Sequence, residues 1–458
     1  MTARHPLLTL FLAGATLLFA LSCGGFDAAA RPRNLVVVLV DTLRADRLGV
    51  YGYERDTSPN VDAFARESLL FANSRSQASC TFPSVNSILT SRSPALFLGQ
   101  PGGALGIPEG IPSIAEILRE GGYRTVAISG NPIVAHTPNR KNPTGGYGRG
   151  FEVFSEECHW RPAACVNRVA RRHLRKEGDD RPLFLYAHYI DPHDPYRPPQ
   201  HHRRRFAGKG GPKLRFVRRG DPTPIAETIY KGRPDRGATP VDLRHLSDLY
   251  DEEIAYFDSQ FPELLAALRE AGLLEDSILV FTADHGEEFL EHGHIQHCRT
   301  VYDSSIKTPL IVRVPGVAPR VVSAPVRNLD LVPTLLDYAG IETAGFPFEG
   351  RSLRPLIEQG EEDDPRYQLA SQATFRSTSD GRFKLIHELK SGRFWLYDVA
   401  ADPEETTDVL ARERRSFHRL RETMTAWLAR TEGEGAAGES VRKAEEAEAR
   451  LKALGYLQ

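Results

Sequence analysis

The chain has 458 residues, with 58 Lys and Arg against 60 Asp and Glu and a formal net charge of -2. This length exceeds the roughly 250 to 300 residues at which a single hydrophobic core stops growing, so we expect one large and one smaller domain. The near balance of charge excludes an overall field that would attract nucleic acid, and we expect no such partner. With 41% hydrophobic residues the composition is that of a folded protein and excludes a disordered chain.

The N-terminal residues predict export. Residues 7–21 form an apolar run that matches the core of a signal peptide and is short for a membrane span of roughly 20 residues. The small residues around Cys23 resemble the cleavage site of bacterial lipoproteins. We therefore expect residues 1–23 to be a signal peptide with a lipid on Cys23, and a bacterial protein of the periplasm or outer membrane. Ordinary cleavage and an uncleaved anchor are the alternatives.

Four cysteines remain after Cys23, in a compartment that permits disulfides. Cys158 and Cys165 are seven positions apart and could form a local pair, and Cys80 and Cys298 would then form a long-range pair. Sequence alone establishes neither bridge.

Short apolar runs alternate with amphipathic helical patterns through most of the chain. After a linker at 24–33, residues 34–40 form a run that is continuously apolar after Asn34 and rich in β-branched Val, which is typical of a parallel strand buried on both faces. The alternation predicts an α/β fold with a doubly wound, mainly parallel sheet, and such sheets bind ligands at the carboxyl ends of their strands. Further strands are predicted at 123–129, 183–190, 277–283 and 309–314, and helices at 111–120, 250–273 and 329–339.

The pattern changes near residue 366. We expect a catalytic domain at 34–365 and a small antiparallel α+β subdomain at 366–430, because two strand-like segments are followed there by an amphipathic helix at about 416–429. The last residues, 431–458, have the composition of a charged helical tail.

A basic insertion is predicted at 197–240 inside the large domain. Residues 197–219 hold nine Lys or Arg and no Asp or Glu. We interpret the segment as a solvated surface loop, and the alternative is a rim that attracts an anionic polymer or a lipid headgroup.

Polar side chains directly follow two of the predicted strands. Asp41 follows the first, where a carboxylate is costly unless it meets a cation or is fully hydrogen-bonded, although a lone structural Asp would fit as well. Asp284 and His285 follow the strand at 277–283, and both could face one ion if the chain turns sharply at Gly286. Oxygen and imidazole ligands together suit Zn or Mn and are compatible with Ca or Mg.

Thr81 lies near the start of a predicted helix, with Pro83 in its first turn. Free backbone N–H groups at such a position can bind a sulfate or phosphate beside the hydroxyl. Taken alone, Thr81 could equally be a helix cap.

Histidines cluster in two further segments. His188 or His193 could bind the substrate anion or protonate a leaving group, and Asp191 between them could instead form a turn. A second cluster lies soon after His285 and consists of His292, His294 and His297.

These segments together resemble a known family. They read NLVVVLVDTLRADRLGVYGYERDTSPNVDAFA, TFPSVNSILTS, FLYAHYIDPHDPY, LVFTADHGEEFLEHG and KTPLIV. In this order and spacing they are similar to the sulfatase branch of the alkaline phosphatase superfamily, from about residue 34 to residue 409. The resemblance implies one divalent metal ion held by Asp41, Asp284, His285 and a nucleophile at Thr81. It also implies that His188, His193 and His297 contact the ester or the leaving group.

Two departures from the family pattern refine these expectations. Thr42 stands where the family often has a second Asp, which favours Zn or Mn over Ca or Mg. Sulfatases use Cys-x-Pro-x-Arg, whose Cys or Ser is oxidised to formylglycine; here Pro83 aligns Thr81 with that position and Val85 replaces the Arg, while Cys80 is one residue too early. Threonine cannot form that aldehyde.

The sequence therefore predicts a metal-dependent hydrolase that forms a covalent ester on Thr81. Relatives with threonine nucleophiles favour phosphodiester hydrolysis or phosphoryl-group transfer, with His297 or His188 protonating the departing alcohol. The substrate would be an anionic ester of an envelope glycan or a lipid headgroup. The alternatives are hydrolysis of a sulfuric ester by unmodified threonine, and a non-catalytic protein that binds an anionic envelope glycan.

Overall fold

The computed structural model describes residues 34–97, 106–206, 220–230, 239–360 and 364–432. The predicted signal peptide, the predicted linker, residues 207–219 of the basic segment, residues 231–238 of the insertion and the tail from residue 433 lie outside these ranges. In the described ranges no helix is long and apolar enough to cross a membrane.

The β-strands supply two separate main sheets. In chain order the described strands are β1 (Asn34–Val40), β2 (Leu69–Phe71), β3 (Ser74–Arg75), β4 (Arg124–Ser129), β5 (Val153–Ser155), β6 (Leu183–Tyr189), β7 (Ser277–Ala283), β8 (Glu288–Phe289), β9 (Ile295–Gln296), β10 (Leu310–Arg313), β11 (Arg320–Val322), β12 (Val326–Arg327), β13 (Gln368–Gln372), β14 (Phe375–Ser379), β15 (Phe383–Glu388) and β16 (Arg393–Asp398).

The helices lie between these strands or after them. In chain order the described α-helices are α1 (Pro59–Arg66), α2 (Thr81–Thr90), α3 (Ile114–Glu120), α4 (Ala163–His173), α5 (Thr223–Tyr230), α6 (Pro240–Glu270), α7 (Asp303–Ile306), α8 (Leu331–Ala339), α9 (Arg354–Glu358) and α10 (Arg414–Glu432).

The central sheet has eight strands in the order β11-β2-β10-β7-β1-β6-β4-β5. Strands β7, β1, β6, β4 and β5 are parallel to one another. Strand β10 pairs antiparallel with both β7 and β2. The sheet is therefore mainly parallel, as predicted, with an antiparallel strand on one side of its centre.

Helices cover both faces of this sheet. Val36, Val38 and Val40 of β1 pack on one face with residues of α4 and α6. Leu35, Val37 and Leu39 alternate with them and pack on the other face with α2, α3 and α8. Because a strand points successive side chains to opposite faces, this alternation buries all of β1 and confirms the doubly wound architecture.

A second sheet follows near the C-terminus. It is antiparallel, with the order β13-β14-β15-β16, and α10 packs its apolar residues against one face. The other face contacts the core through Val301 and Ile306, which pack with Ile386 and Val399. The predicted antiparallel α+β arrangement is therefore present.

Helix α6 begins ten residues earlier than the helix predicted at 250–273. Thr239 caps it by accepting from the backbone of Asp242, whose carboxylate accepts in return from the backbone of Thr239, and Pro240 occupies the first helical position. The residues that start the helix, Thr239 and Pro240, therefore lie about ten residues before the segment on which the prediction was based.

Candidate metal centre and nucleophile

The candidate site lies at the carboxyl ends of the central strands. Strand β1 is paired with β6 on one side and with β7 on the other, so that Val40 is level with Tyr189 and with Ala283. The next residues in the chain after β1 and β7 are Asp41 and Asp284, which therefore leave the sheet side by side. The rule for parallel sheets accounts for this position.

Gly286 allows the chain to turn directly after Asp284 and His285. Its N–H donates to the carbonyl of Ser305 at 2.7 Å, and a Cβ on this residue would lie 2.1 Å from the carbonyl oxygen of Ser304. Only glycine permits so close an approach of the two backbones. The turn that the sequence predicted is therefore present.

The two carboxylates each have one satisfied oxygen and one unsatisfied oxygen. Oδ2 of Asp41 accepts from Nδ2 of Asn131 at 2.5 Å and lies 3.1 Å from Nε2 of His188. Oδ1 of Asp284 accepts from the backbone N–H of Thr42 at 3.1 Å and of His285 at 2.8 Å. Within the described ranges, Oδ1 of Asp41 and Oδ2 of Asp284 have no hydrogen-bond partner although both residues are fully buried.

A bound cation would give these two buried carboxylate oxygens the partner that they lack. A buried charge without a partner costs several kcal/mol, and a bound cation removes that cost. The donor set of this site therefore fits a divalent metal ion.

Thr81 and His285 complete the cluster. Thr81 is the first residue of α2, directly after the N-cap residue Cys80, where the positive end of the helix dipole favours an anion. Its Oγ1 lies 3.2 Å from Nε2 of His285, which is 3.4 Å from Oδ2 of Asp284. Nδ1 of His285 donates to the carbonyl of Gly286 at 2.9 Å, so Nε2 is the nitrogen that can bind an ion. The structure thus brings together all four predicted metal ligands.

His188 lies behind this cluster. It is fully buried, and while Nε2 contacts Asp41, Nδ1 lies 3.3 Å from the hydroxyl of Tyr186. Donor atoms of Asp41, His188 and Asp284 also lie within 4.8 Å of one another. Because both of its ring nitrogens are engaged, the geometry gives His188 the role of orienting Asp41.

His193 and His297 lie beside the cluster and close to each other. The ring of His297 is 4.7 Å from that of His285 and 4.9 Å from that of His193. Nδ1 of His297 contacts Oε1 of the buried Glu287 at 3.0 Å, and Nδ1 of His193 contacts the backbone oxygen of Asp194 at 2.6 Å. These two imidazoles are the predicted site residues that can reach a group bound at Thr81.

The electrostatics of the site reflect its concentration of carboxylates. Burial and, after it, the charge of the neighbouring Asp41 raise the pKa of Asp284 to about 7. Burial also acts to raise the pKa of Asp41, but the hydrogen bond from His188 and the charge of His193 outweigh it and hold that pKa below its usual range. For His193, burial lowers the pKa while Asp194 and Asp41 raise it, to about 9 overall. The site therefore attracts positive charge.

Several other candidate residues lie elsewhere. Asp191 is hydrogen-bonded to Glu253 of α6, and burial raises its pKa to about 7. His292 stacks on Tyr302 at 3.6 Å between ring centroids, and His294 stacks on Tyr230 at 6.1 Å. These contacts are made with residues outside the metal centre.

Sequence reasoning missed three residues that support the site. Asn131 holds Asp41, Glu287 holds His297, and the hydroxyl of Tyr196 donates to Glu287 at 3.0 Å. Asn131 comes two positions after the end of β4 and could have been found by inspecting every strand end. Glu287 lies inside the quoted motif, but its contact with His297 depends on the path of the intervening loop.

Both cysteine pairs that the sequence left open form disulfides. Cys158 is joined to Cys165, and Cys80 is joined to Cys298 across 218 positions. Cys80 directly precedes Thr81 and Cys298 directly follows His297. The long-range disulfide therefore connects the nucleophile segment to the histidine segment.

Comparison with known proteins is consistent with this arrangement. Residues 33–341 match the family model described as Sulfatase, and residues 290–433 match the model described as N-sulphoglucosamine sulphohydrolase, C-terminal. The chain is 25% identical over 432 residues to choline-sulfatase of Rhizobium meliloti (strain 1021), covering 83% of each protein.

Solved structures show the same fold. A 2-O GAG sulfatase superposes with a TM-score of 0.68 at 21% identity, covering 88% of this chain and 92% of that chain. A phosphonate monoester hydrolase from Silicibacter pomeroyi superposes with a TM-score of 0.66 at 23% identity, covering 88% of this chain and 96% of that chain.

Proposed function

This chain belongs to the sulfatase family and is an ester hydrolase, and from this premise we propose that it cleaves phosphoric esters through a covalent intermediate on Thr81. The observation that carries the proposal is the position of the Thr81 hydroxyl, 3.2 Å from Nε2 of His285 and at the N-terminus of α2. Among the described residues, Thr81 is the one whose side-chain hydroxyl contacts Nε2 of His285.

A divalent metal is part of the proposal, because sulfatases typically bind one and the donor set fits it. Asp41, Asp284, His285 and Thr81 would hold the ion, and the combination of one imidazole with two carboxylates favours Zn or Mn. When bound, the ion would lower the pKa of the hydroxyl and neutralise charge on the ester oxygens.

The residues of the site have separate roles in the proposed reaction. Oγ1 of Thr81 forms a bond to phosphorus while the bond from phosphorus to the ester oxygen breaks, and water later releases the phosphoryl group and restores the hydroxyl. The N–H groups of the first turn of α2 bind the ester oxygens. His193 and His297 contact the departing group, and His193, whose pKa is raised to about 9 by Asp194 and Asp41, supplies the positive charge and a proton to the departing oxygen.

A test uses three aryl esters with the purified, metal-analysed protein: a phosphate monoester, a phosphate diester and a sulfate. We expect the phosphoric esters to be cleaved fastest, and Thr81→Ala to lower kcat at least about a thousandfold. Thr81→Ser retains the hydroxyl and is the matched control. Mass spectrometry of the quenched reaction should find the phosphoryl group on the peptide that contains Thr81. Full turnover by Thr81→Ala would contradict the proposal.

Hydrolysis of a sulfuric ester is the second candidate, because the curated relative named above is a choline-sulfatase. It would use the same Thr81 nucleophile without formylglycine. Faster cleavage of the aryl sulfate than of either phosphate would favour it. The non-catalytic glycan-binding alternative is not proposed, since the chain belongs to a family of hydrolases.

We also propose that the protein is exported and carries a lipid on Cys23, and that its natural substrate is an anionic ester of an envelope glycan or a lipid headgroup. The apolar run at 7–21 and the two disulfides support export, and the exposed side chains of Arg203, Arg204 and Arg205 support an anionic substrate. Partition of the wild-type protein into detergent, but not of Cys23→Ala, is the expected result; equal partition would contradict the anchor.

A further inference from the structure

We propose that Trp160 determines substrate specificity by stacking on a ring of the departing alcohol. Its side chain is 49% exposed, and it is the one aromatic residue among the large apolar side chains that are exposed in the described ranges. Its indole contacts the ring of His193 edge to face, with 5.8 Å between the ring centroids. The exposed part of the indole therefore lies beside the imidazole that contacts the departing group in the proposed function, on which this inference rests.

The backbone of Trp160 has a conformation that is unfavourable for a bulky residue. Its φ is 58°, in the left-handed region that residues with large side chains rarely adopt. A single exposed apolar side chain needs no explanation by itself. Residues held in such strained conformations, however, cluster at sites that bind or transform a ligand. Exposure and strain together therefore favour a role of Trp160 in binding over a role in the stability of the fold.

The loop that contains Trp160 is held at the edge of the sheet that carries the metal centre. Its preceding strand, β5, is parallel to β4, and the N–H of Trp160 donates to the carbonyl of Gly130, directly after β4, at 2.9 Å. The disulfide between the buried Cys158 and Cys165 closes the loop. An aromatic ring that is fixed in this way loses little conformational freedom when a substrate packs on it.

The rings of the site lead from the metal centre outward to Trp160. Successive ring centroids are 4.7, 4.9 and 5.8 Å apart in the series His285, His297, His193 and Trp160. Exposure rises along this series, from the fully buried His285 to the half-exposed Trp160. An ester whose phosphoryl group is bound at Thr81 therefore extends toward solvent past His193, and its departing alcohol reaches the indole.

The surroundings of the indole favour a hydroxylated ring over a cationic group. Next to His193, the carboxylate of Asp194 accepts from the amide of Gln296 at 3.2 Å, and both side chains can bind hydroxyl groups. A quaternary ammonium group can also stack on an indole, but the positive charge of His193 in the proposed reaction would repel it. A sugar ring presents C–H groups on its faces and hydroxyl groups at its edge, and so fits an indole beside polar side chains.

The test compares two esters whose departing alcohols differ in ring closure. One is methyl glucoside and the other is sorbitol, each phosphorylated on a primary hydroxyl; a methyl phosphodiester or a sulfate replaces the phosphate if the three aryl esters show that class to be cleaved fastest. We expect Trp160→Ala to raise KM for the ring ester about tenfold, and to leave its kcat and both constants for the open-chain ester unchanged, because the stacking contact is made equally in the bound substrate and in the transition state.

Two further variants separate stacking from other effects. Trp160→Phe retains an aromatic face and should keep KM for the ring ester within about threefold of the wild type. Trp395→Ala is the matched control, because Trp395 is a partly buried tryptophan of β16 in the C-terminal sheet, and it should leave KM for both esters unchanged. A thermal melt confirms that each variant is folded. If Trp160→Ala does not fold, the wild type decides, since its KM must be about tenfold lower for the ring ester than for the open-chain ester.

Equal KM values of Trp160→Ala and the wild type for the ring ester would overturn the inference. A lower kcat of Trp160→Ala on both esters would also overturn it, because Trp160 would then act only by positioning His193. Either result leaves the proposed function intact if Thr81→Ala remains inactive.

A wild type that cleaves no ester of any class would contradict the proposed function and would still allow a test of Trp160 by calorimetric titration with both esters. Tighter binding of the ring ester that is lost in Trp160→Ala would support the stacking contact. Equal binding of the two esters, or no binding of either, would overturn it. The two proposals therefore fail in distinguishable ways.

Discussion

The amide of Asn131 determines which oxygen of Asp41 is available to a metal. Asn131 is 1% exposed, and it donates to Oδ2 while its own Oδ1 accepts from the backbone of Ile133. With Oδ2 engaged in this way, Oδ1 is the oxygen of Asp41 that remains free for the proposed ion. Supporting hydrogen bonds of this kind are typically worth a factor of 10 to 100 in metal affinity.

Replacing Asn131 with Ala should therefore weaken metal binding by about 10- to 100-fold. The physical reason is that Asp41 loses a donor and is no longer held in one orientation. The measurement is a competition titration of the stripped protein with Zn²⁺ against a chelator of known affinity.

The control for this prediction is Asn167→Ala. Asn167 is also a buried amide, 8% exposed, and it bonds to the backbone of Gln260 and to the hydroxyl of Tyr189 away from the site. Its replacement should lower stability and leave the metal affinity unchanged. Equal affinity of Asn131→Ala and the wild type would show that Asp41 needs no such support.

At the scale of single residues, the ligands were easier to predict than their supports. Asp41 and Asp284 each follow a continuous apolar run, so strand topology alone brings them together. Glu287 and Asn131 act through contacts between loops, whose paths depend on tertiary packing that no local pattern encodes. The sequence thus predicts that these two carboxylates lie side by side, but not which residues hold them in place.

At the scale of elements, the disulfide between Cys80 and Cys298 joins the start of α2 to the loop after β9. The backbone reinforces the link, because the N–H of Cys298 donates to the carbonyl of Ser79 at 2.6 Å. Thr81 and His297, which lie one residue from either end of the bridge, therefore have little freedom to separate. The second disulfide, between Cys158 and Cys165, closes only a short loop.

Replacing both Cys80 and Cys298 with Ser should lower both stability and kcat. In the loop-closure model a bridge across 218 positions contributes about 5 kcal/mol and one across 7 positions about 2.5 kcal/mol. The loss of kcat arises because Thr81 and His297 are no longer tethered. Steady-state kinetics and thermal denaturation measure the two effects separately.

The double variant Cys158→Ser with Cys165→Ser is the matched control. It should lose some stability and keep the kcat of the wild type, since its bridge touches neither Thr81 nor His297. If both double variants keep full kcat, the long-range bridge stabilises the fold without positioning the site.

Long strands were easier to predict from the sequence than short ones. Runs of apolar β-branched residues marked β1, β6 and β7, while the two-residue strands β8 and β9 carry too few side chains to form a pattern. The sequence could name the disulfide pairing only as a possibility, because a bridge across so many positions depends on the complete fold.

At the scale of the whole molecule, a buried ion network joins the C-terminal sheet to the central core. Asp303 at the start of α7 accepts from Arg75 of β3 at 2.8 and 2.6 Å, and from Nζ of Lys384 of β15 at 2.7 Å. Lys384 is fully buried and also lies 2.8 Å from Glu405. The network crosses the contact between the C-terminal sheet and the core, and the alternating pattern of the strands gave no indication of it.

The charge of Asp303 should make this contact sensitive to acid. Burial acts to raise the pKa of Asp303, but the charges of Arg75 and Lys384 outweigh it and hold the pKa well below its usual range. A carboxyl whose pKa is depressed by folding contributes stability above its unfolded value of about 3.9, and this contribution is lost as the pH falls below that value.

Asp303→Asn should therefore destabilise the protein by about 3 to 5 kcal/mol at neutral pH, because it leaves Arg75 and Lys384 buried without their shared carboxylate. The difference from the wild type should shrink as the pH falls below about 3.9, since the unfolded wild-type chain then gains a proton that the folded chain does not bind. Urea denaturation at a series of pH values measures it. Glu358→Gln is the control, because the partly exposed Glu358–Arg354 pair should contribute little at any pH. A variant Asp303→Asn as stable as the wild type at neutral pH would show that packing alone holds the second sheet on the core.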